Sequence, residues 1–452
     1  MLLFLQWFIT IALSGTTNDR YHDGLINSLD ASRRHTPRKM RTSSVQPNSE
    51  EGTSTQRNTR SSHALSKSDS LQNYNYANSP IVPSNVYTPH SGNPLPVFLL
   101  GSGKTEDAEI GILLDALTLS RYVKLIRNKD EWFASRDDPG QLVVHMVDWN
   151  HLNRDCHFLE QMYGGLEQPA SHMLVYFDLS ASTRVITCPK VNTLFHNGYR
   201  VIKQSIVEGY WNPNNEWVSH GRIVDNTIEG DGTVLHSPHF LRERFVDLIL
   251  EALHAANEDL SQIVTRHRRL DVVHMWRKGD ASHYGRLRRQ VSAVIQDLND
   301  TKVDGHSLRW LVRPRGDDDG IEKGTIQPEY VASLISSKIV VVAQRDEWED
   351  HFRLMESMAS GAMVMTDVML AAPHGLKNGT NIITYYDAES LRRLILYYTR
   401  PRHEEERIAI AQRGWELAMG RHRSWHRMEQ LLFGAARSKV DKPLESRPNR
   451  VA

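Results

Sequence analysis

The sequence contains little cysteine, no excess of charge of either sign and no long apolar run, and each of these absences excludes a class of protein. Its two cysteines, Cys156 and Cys188, are too few for a disulfide scaffold or a cysteine-based zinc site. The 54 Lys and Arg residues balance the 54 Asp and Glu residues, so we expect no nucleic-acid partner, because such proteins usually carry a basic excess. No apolar run approaches the roughly 20 residues that a membrane-spanning helix needs.

The N-terminal segment has the pattern of a targeting signal. Residues 1–15, MLLFLQWFITIALSG, are mostly apolar and end in small residues, with Ala12 and Ser14 in the small-x-small spacing of a cleavage site. We expect a signal peptide here, and therefore a location in the secretory pathway, in the Golgi or the endoplasmic reticulum lumen. A short uncleaved anchor and a disordered start are the alternatives. We expect contact with a membrane only through this segment, and only if it is not cleaved.

Secretion would give a role to the cysteines and to two short motifs. In an oxidising lumen Cys156 and Cys188 can pair, and otherwise they are two small buried hydrophobic residues. Asn299-Asp300-Thr301 and Asn378-Gly379-Thr380 are acceptor motifs for N-glycosylation if the chain is secreted.

Composition divides the chain into a polar stem, two α/β regions and a short tail. Residues 16–93 are rich in Ser, Thr, Asn, Arg and Gln and cannot bury enough apolar surface to offset their conformational entropy, so we expect a disordered stem. Strands alternating with helices predict one α/β domain over 95–259 and a second over 270–437. Residues 438–452 are predicted to be a flexible tail.

Three segments of the first domain are predicted to be a helix, a weak strand and a loop. Phe240–Glu258 is an amphipathic helix, because its apolar residues recur at helical spacing. Val185–Cys188 is a weak strand. Tyr210–Thr233, with its Trp, Asn, Pro and Gly residues, is predicted to be an irregular loop.

The second domain is organised around Ser337–Asp367, which has the pattern of a β-α-β unit. Lys338–Ala343 is a Val- and Ile-rich run, typical of a strand that is buried on both faces. Apolar residues at helical spacing follow in His351–Ser360, and Gly361 can take the positive φ that a helix end requires. Ala362–Thr366 is a second apolar strand. Such a unit implies a parallel sheet, whose ligands bind beyond the carboxyl ends of the strands.

A glycine-rich turn, Gly101–Thr105, follows the first strand and resembles part of a phosphate-binding P-loop. A P-loop needs another glycine where this chain has Phe98, so the loop is too short to wrap phosphates with successive backbone amides. Two later runs end in Asp148 and Asp178, as a Walker B strand does. A P-loop nucleotide-binding transferase that uses Lys104 is therefore one interpretation, and a plain glycine turn is the simpler one.

Other polar residues are weaker candidates for chemistry. His145, His196 and His236 end or follow candidate strands or turns and are candidates for a catalytic base, although a single histidine is more often structural. The triple aspartate Asp317–Asp319 suggests a metal site, but no partner cluster accompanies it in the sequence. We interpret it as a solvated loop and predict no metal.

The C-terminal part of the chain resembles the C-terminal domain of group 1 glycosyltransferases, which have the GT-B architecture of two Rossmann-like domains. The resemblance lies in RLMESMASGAMVMTD (353–367), in GTNIITYYDAESLRRLILYY (379–398) and in a helix that ends RGWELAMGRHRSWHRM (413–428). The nearest pattern is that of the spore-maturation-protein-like branch, an Arg-x-x-Glu-x-x-Ala-x-Gly helix before an apolar strand that ends in Asp. Exostosin-like transferases are the nearest alternative. The match covers about Tyr330–Leu432.

The resemblance implies that this helix binds a nucleotide-sugar donor. Glu356 matches a carboxylate that accepts hydrogen bonds from the donor ribose, since a carboxylate can accept two bonds from a vicinal diol; the alternative is a helix-surface glutamate. Gly361 matches the position where the helix turns close to the donor. Arg353 lies one turn before Glu356 on the same face, where it can reach a phosphate or orient Glu356.

The departing diphosphate needs positive charge, which the resemblance implies comes from basic side chains and helix N-termini rather than from a metal. Arg277 and Lys278, after the first strand of the second domain, are the first candidates. Arg313 and Arg315, after the second strand, are the next. No cofactor is expected beyond the nucleotide-sugar, which is a co-substrate.

The sequence departs from the family pattern at Trp348, where retaining members carry a second glutamate; Glu347 and Glu349 flank it. The stereochemistry of transfer is therefore left open. We predict a glycosyltransferase that moves a sugar from a nucleotide-sugar to a glycan, protein or small-molecule acceptor held by the N-terminal domain. A catalytically inactive GT-B-fold binding protein is the alternative.

Overall fold

The computed structural model describes segments of the chain between residues 94 and 434. The described residues are 94–100, 108–127, 131, 143–148, 156, 160, 172–178, 187–195, 199–203, 207–211, 217–223, 233–236, 240–277, 286–299, 301–315, 326–343, 352–369 and 375–434. The predicted signal peptide, stem and tail lie outside them, as does the Gly101–Thr105 turn. In the segments described, no helix is long and apolar enough to cross a bilayer.

The first domain is built on a six-stranded parallel sheet. The strands of this half of the chain are β1 Leu95–Leu100, β2 Val123–Ile126, β3 Val143–Asp148, β4 His172–Asp178, β5 Tyr199–Lys203, β6 Val207–Trp211, β7 Trp217–Ile223 and β8 Thr233–His236. The sheet has the order β2-β1-β3-β4-β5-β8, and helix α1, Ala108–Leu119, packs on it through Leu113 and Leu117. Strands β2 and β8 are not predicted by the sequence pattern because each has only four residues.

Strands β6 and β7 form a separate antiparallel hairpin, which corrects the prediction of an irregular loop over Tyr210–Thr233. Their register pairs Tyr210 with Val218 and Trp211 with Trp217. Both strands are rich in aromatic and β-branched residues, which favour strands. Most of the Asn residues and the Pro residue that suggested a loop lie in the sequence between the two strands, at 212–215.

Cys156 and Cys188 form a disulfide, with their Cα atoms 5.4 Å apart. Of the two interpretations of these cysteines, the structure supports pairing. The short helix α2, Pro189–Asn192, begins directly after Cys188. Residues 187 and 188, the described part of the predicted weak strand, lead into this helix instead of joining a sheet.

The second domain is built on a five-stranded parallel sheet with the order β12-β9-β13-β14-β15. Its strands, with the small β10–β11 hairpin, are β9 Leu270–Arg277, β10 Lys302–Val303, β11 His306–Ser307, β12 Trp310–Arg315, β13 Ser337–Val342, β14 Met363–Asp367 and β15 Ile383–Tyr385. The helices are α3 Glu243–Ala255, α4 Arg286–Gln296, α5 Pro328–Ile335, α6 Phe352–Ala359, α7 Ala388–Tyr398, α8 Glu404–Arg421 and α9 Ser424–Phe433. Strand β13, helix α6 and strand β14 confirm the predicted β-α-β unit, and Gly361 has the predicted positive φ, at 73°.

The chain passes between the two domains twice, and at each passage a helix packs on the domain it has just reached. The first passage, Phe240–Glu243, leads into α3, whose Phe245 and Leu253 belong to the core of the second domain. The second passage, His422–Ser424, leads into α9, whose buried apolar residues complete the core of the first domain. The predicted limits at 95–259 and 270–437 therefore separate the two sheets, but they assign α3 and α9 to the other domain. The prediction of two α/β domains with parallel sheets is confirmed.

Candidate active site

The second sheet divides at its carboxyl edge between β9 and β13. These strands pair from Leu270 with Ser337 to Val273 with Val340; beyond that point β9 continues beside β12 and β13 beside β14. In chain order β9 is followed by β12 on one side and by β13 on the other, so the strand order reverses here. Open parallel sheets bind ligands in the crevice at such a point.

Side chains from five elements line a cavity in this crevice. Its volume is about 10 Å³, room for about one water molecule. The polar residues in its wall are His274 and Trp276 from β9, Arg288 from α4, Tyr330 from α5, and Arg353 and Ser357 from α6. The Ser357 hydroxyl is buried and has no hydrogen-bond partner among the described residues. Two arginines and an available hydroxyl favour an anionic ligand.

His274 links β9 to β13 by a side-chain hydrogen bond at the point where the two strands separate. Its Nδ1 lies 2.8 Å from the carbonyl oxygen of Val341 on β13, and its Nε2 lies 3.3 Å from the carbonyl oxygen of Arg288. Burial, with the nearby arginines, lowers the pKa of His274 to about 4, although its hydrogen bonds oppose the shift. The imidazole is therefore neutral and has one N–H, which the shorter contact assigns to Nδ1 as donor to Val341.

Arg288 places a buried positive charge in the wall of the cavity. It is 2 % exposed, and its Nε donates to the carbonyl oxygen of Ala343, just beyond β13, at 3.3 Å. One turn later, Ser292 accepts a hydrogen bond from the indole of Trp276 at 2.9 Å. Arg288 was not among the residues predicted for the site. Its position three residues before the inward-facing Val291 is the signal that would have placed it on the buried face of α4.

Glu356 lies beside the crevice and is completely buried, so it is not a helix-surface glutamate. Its Oε1 accepts two hydrogen bonds from Arg242, from Nε at 3.1 Å and from Nη2 at 2.6 Å. Its Oε2 accepts one from the Tyr330 hydroxyl at 2.9 Å. Burial, and then the negative charge of Glu356, raise the pKa of Tyr330 well above its usual value, so this hydroxyl remains a proton donor. Sequence reasoning found Glu356 but not Arg242 or Tyr330.

The predicted basic residues are placed at the same edge of the sheet. Arg353 stands in the cavity wall, with its guanidinium 5.5 Å from the ring centroid of Phe352. Arg277 and Arg315 are the last residues of β9 and β12 and are paired in register. Arg313 lies two residues earlier on β12.

The remaining predicted loop residues lie outside the described residues. They are Lys278, the aspartates Asp317–Asp319, and Trp348 with its neighbours Glu347 and Glu349.

Gly361 lies away from the crevice, which corrects the prediction that it turns close to the donor. Helix α6 starts at the carboxyl edge of the sheet and ends at the amino edge, as a β-α-β crossover requires. At that end, a Cβ on Gly361 would meet Arg268 Nη2 at 2.8 Å and the carbonyl oxygen of Ile263 at 2.9 Å. Arg268 is buried and donates to the carbonyl oxygens of Ile263, Ser337 and Ser360, at 2.6, 2.7 and 3.2 Å. The glycine therefore serves close packing around Arg268.

The first sheet presents ionisable residues at its own carboxyl edge. Asp148, Asp178, Lys203 and His236 are the last residues of β3, β4, β5 and β8. The side chains of Asp178 and Lys203 form a completely buried ion pair. Burial lowers the pKa of Lys203, and the carboxylate opposes that shift. The P-loop interpretation requires Asp148 or Asp178 near Lys104, but Asp178 already has Lys203 as its cation.

Two of the three candidate histidine bases, His145 and His236, lie within the described residues. His145 is buried in the middle of β3, with its Nε2 3.2 Å from Nδ1 of His172. Burial, and then the charge of His172, lower the pKa of His145 well below its usual value, so it is a neutral core residue. His236 ends β8 at the sheet edge, and His196 lies outside the described residues.

A family model described as glycosyl transferase-like matches residues 288–433. The matched segment runs from Arg288 in α4 to the end of α9 and includes Arg353 and Glu356. It confirms the predicted glycosyltransferase class for this part of the chain. The spore-maturation-protein-like and exostosin-like branches stay predictions. A search of curated proteins found no match.

Several solved structures are similar to this chain at low sequence identity. Anabaena HepE in complex with UDP is 12% identical and covers 75% of this chain and 98% of its own, with a TM-score of 0.39. Sucrose-phosphate synthase from Thermosynechococcus elongatus is 13% identical, covers 75% of this chain and 98% of its own, and has a TM-score of 0.39. The C-terminal domain of the group 1 glycosyl transferase LpcC from Francisella tularensis is 16% identical, covers 37% of this chain and 94% of its own, and has a TM-score of 0.26. Likenesses this weak carry no argument about the ligands of this chain.

Proposed function

We propose that the protein is a glycosyltransferase that binds the diphosphate of a nucleotide-sugar in the crevice between β9 and β13. The observation that carries the proposal is that Arg288 and Arg353 lie together at the carboxyl edge of the sheet, where the strand order reverses. Paired cations at such an edge suit a diphosphate. The glycosyl transferase-like match over 288–433 includes both arginines and supports the same conclusion.

The chemistry of transfer explains why cations are needed there. The bond between the anomeric carbon and the diphosphate oxygen breaks, a bond from the acceptor oxygen to that carbon forms, and the acceptor loses its proton. The nucleoside diphosphate leaves with additional negative charge, which fixed cations stabilise. We propose Arg353 for this role, with Arg277 at the end of β9, Lys278 next to it in sequence and Arg315 at the end of β12 as further cations.

We also propose that Glu356 accepts hydrogen bonds from the ribose of the donor. In sequence it lies between two residues of the cavity wall, Arg353 and Ser357, and its partner Tyr330 lines the same cavity. A carboxylate suits the two hydroxyls of a ribose. The nucleotide-sugar is a co-substrate, and we propose no further cofactor.

The acceptor belongs, in this proposal, to the carboxyl edge of the first sheet, and the two domains close over donor and acceptor. Asp148, Lys203 and His236 end strands β3, β5 and β8 of this sheet. The acceptor class stays broad: a glycan, a protein or a small molecule.

The test is a thermal-shift panel on the full chain with UDP, GDP and ADP, each with and without a sugar. A nucleotide at 100 times its dissociation constant stabilises the fold by about 2.7 kcal/mol, which raises the Tm measurably. We expect one nucleotide to raise the Tm, an Arg353→Ala variant to lose most of that shift and a Lys104→Ala variant to keep it. A shift lost only in Lys104→Ala would support the P-loop interpretation, and no shift with any nucleotide would refute the donor site.

A second candidate function is a binding protein of the same fold without transfer activity, which Trp348 at the position of the second glutamate favours. The two functions differ in one assay, the release of sugar from the nucleotide-sugar that raises the Tm. Binding without any sugar release or transfer to a panel of glycan and small-molecule acceptors would favour the binding protein.

We propose a secretory-pathway location for the protein. The disulfide between Cys156 and Cys188 supports it, because disulfides persist in oxidising compartments. Alkylation of free thiols in intact cells, followed by mass spectrometry, tests it. We expect both cysteines to be protected until a reductant is added, and alkylation of both without reductant would contradict the proposal.

A further inference from the structure

The hydrogen bonds of Glu356 leave too few acceptor positions for a ribose. A carboxylate offers about four lone-pair positions, two on each oxygen. Arg242 occupies both positions of Oε1, and Tyr330 occupies one position of Oε2. One position is left, whereas the two hydroxyls of a ribose need two. One of the existing hydrogen bonds must therefore break when a ribose binds.

Of the three hydrogen bonds to Glu356, one from Arg242 breaks most readily. Tyr330 is buried in α5, and its ring packs against Phe245 with 6.1 Å between the ring centroids, so its hydroxyl is held in place. The Arg242 side chain is 12% exposed, and its guanidinium lies over the ring of Phe352, 4.9 Å from the centroid. A small rotation of a guanidinium in this position removes one N–H from Oε1 and keeps the other.

We propose that Arg242 is a positioning residue for the carboxylate of Glu356. It holds this carboxylate through two hydrogen bonds and gives up one of them when the ribose of the nucleotide-sugar binds. The proposal rests on the proposed function, because it takes Glu356 as the ribose acceptor. Arg242 lies in the first passage between the domains, directly before α3. Binding of the ribose is thereby coupled to the segment that joins the two domains.

The next residue along the chain provides a matched control. Glu243 accepts hydrogen bonds from Nε and Nη2 of Arg423 in the second passage. The backbones of the two passages are also joined, since Leu241 donates to His422 and accepts from Ser424. The Arg423–Glu243 pair is thus also an arginine–glutamate pair held by Nε and Nη2 at a passage between the domains, but its carboxylate is not on α6.

The decisive variant is Arg242→Lys in the full-length chain. Lysine keeps the positive charge but directs one N–H at Oε1 instead of two, which leaves the position that the ribose needs. The probes are whichever of UDP, GDP or ADP raises the wild-type Tm, and its 2′-deoxy analogue, with affinities measured by isothermal titration calorimetry. We expect Arg242→Lys to bind the ribonucleotide about 5–10-fold tighter than wild type, the effect of about one hydrogen bond.

The 2′-deoxy probe separates this effect from a general change in structure. In the wild type the second hydroxyl only replaces a bond from Arg242, so we expect the ribo- and deoxynucleotides to bind within about 2-fold of each other. In Arg242→Lys we expect a preference for the ribonucleotide of about 5–10-fold. Arg423→Lys should leave both the affinity and this ratio unchanged. Tyr330→Phe, which frees a position on Oε2, should raise the ratio as well and serves as the second variant if Arg242→Lys does not fold.

The possible outcomes distinguish the proposed role of Arg242 from the proposed donor site. Equal or weaker binding of the ribonucleotide by Arg242→Lys, or an equal gain in Arg423→Lys, overturns the role of Arg242 while leaving the donor site in place. Failure of both the wild type and Arg242→Lys to bind any of the three nucleotides overturns the donor site itself. Nucleotide binding that appears only in Arg242→Lys supports the coupling.

Discussion

The buried ion pair between Asp178 and Lys203 allows a quantitative prediction about the stability of the first domain. Replacing Lys203 with Met removes the cation beside a completely buried carboxylate, and breaking a buried pair in this way costs about 3–5 kcal/mol of unfolding free energy. Asp178→Leu leaves the ammonium buried and costs a similar amount. The double variant removes both charges. We expect its stability to be within about 1 kcal/mol of wild type or higher, because a buried pair roughly balances its own desolvation.

The assay is a double-mutant cycle by urea unfolding, followed by circular dichroism. The exposed pair Lys124–Glu131, at 2.8 Å with both side chains at least 40% exposed, is the control; removing it should change stability by about 0–1 kcal/mol. A double Asp178/Lys203 variant as unstable as the sum of the two single variants would refute the reasoning, since it would mean that the two charges do not act as a pair.

Three further predictions concern the second domain, each measured as an unfolding free energy. The pKa of His274 is lowered to about 4 in the folded protein, so between about pH 6.5 and pH 4 only the unfolded chain binds a proton at this histidine. The unfolding free energy of the wild type should therefore fall by up to about 3 kcal/mol as the pH is lowered over that range, and His274→Gln should lack this fall. Gly361→Ala should cost at least about 1–3 kcal/mol, because it adds a clash with Arg268 to the strain of a positive φ, and Gly379→Ala, at the same φ with open space around it, should cost less. Arg268→Met should cost about 3–5 kcal/mol, because it leaves buried carbonyl oxygens without their donor; a cost under about 1 kcal/mol would contradict this.

The parts of the fold that could be predicted are those whose signal is local. Strand β13, helix α6 and strand β14 are specified by a Val-rich run, a helical period and a glycine, all within a few turns of one another. The hairpin β6–β7 was missed because its stability comes from pairing between strands, which outweighs the loop-like residues between them. The described end of the predicted weak strand, Thr187 and Cys188, pairs with no described strand and leads into α2, which the local pattern did not indicate.

The candidate site divides in the same way. Glu356 could be selected from the resemblance of its helix to a family pattern, but its partner Arg242 is more than a hundred residues earlier in the chain and carries no local signal. Gly361 shows how far a local signal extends: its positive φ was predictable, but its place at the amino edge of the sheet followed only from the direction of α6. Arg268 could not be predicted, because its hydrogen-bond partners are backbone carbonyls in three different segments.

The return of α9 to the first domain has a consequence for how the chain is made. The last strand of the first sheet ends at His236, but Met428, Leu431 and Phe433, which fill part of that domain's core, are synthesised only after the whole second sheet. At the usual rate of about 5–20 residues per second, the interval is on the order of tens of seconds. During that time the apolar residues of α1, including Leu113, cannot yet pack against α9. The nascent first domain therefore emerges as an incomplete core that needs a chaperone or a partner surface, and a recombinant first domain that stops before α9 should aggregate.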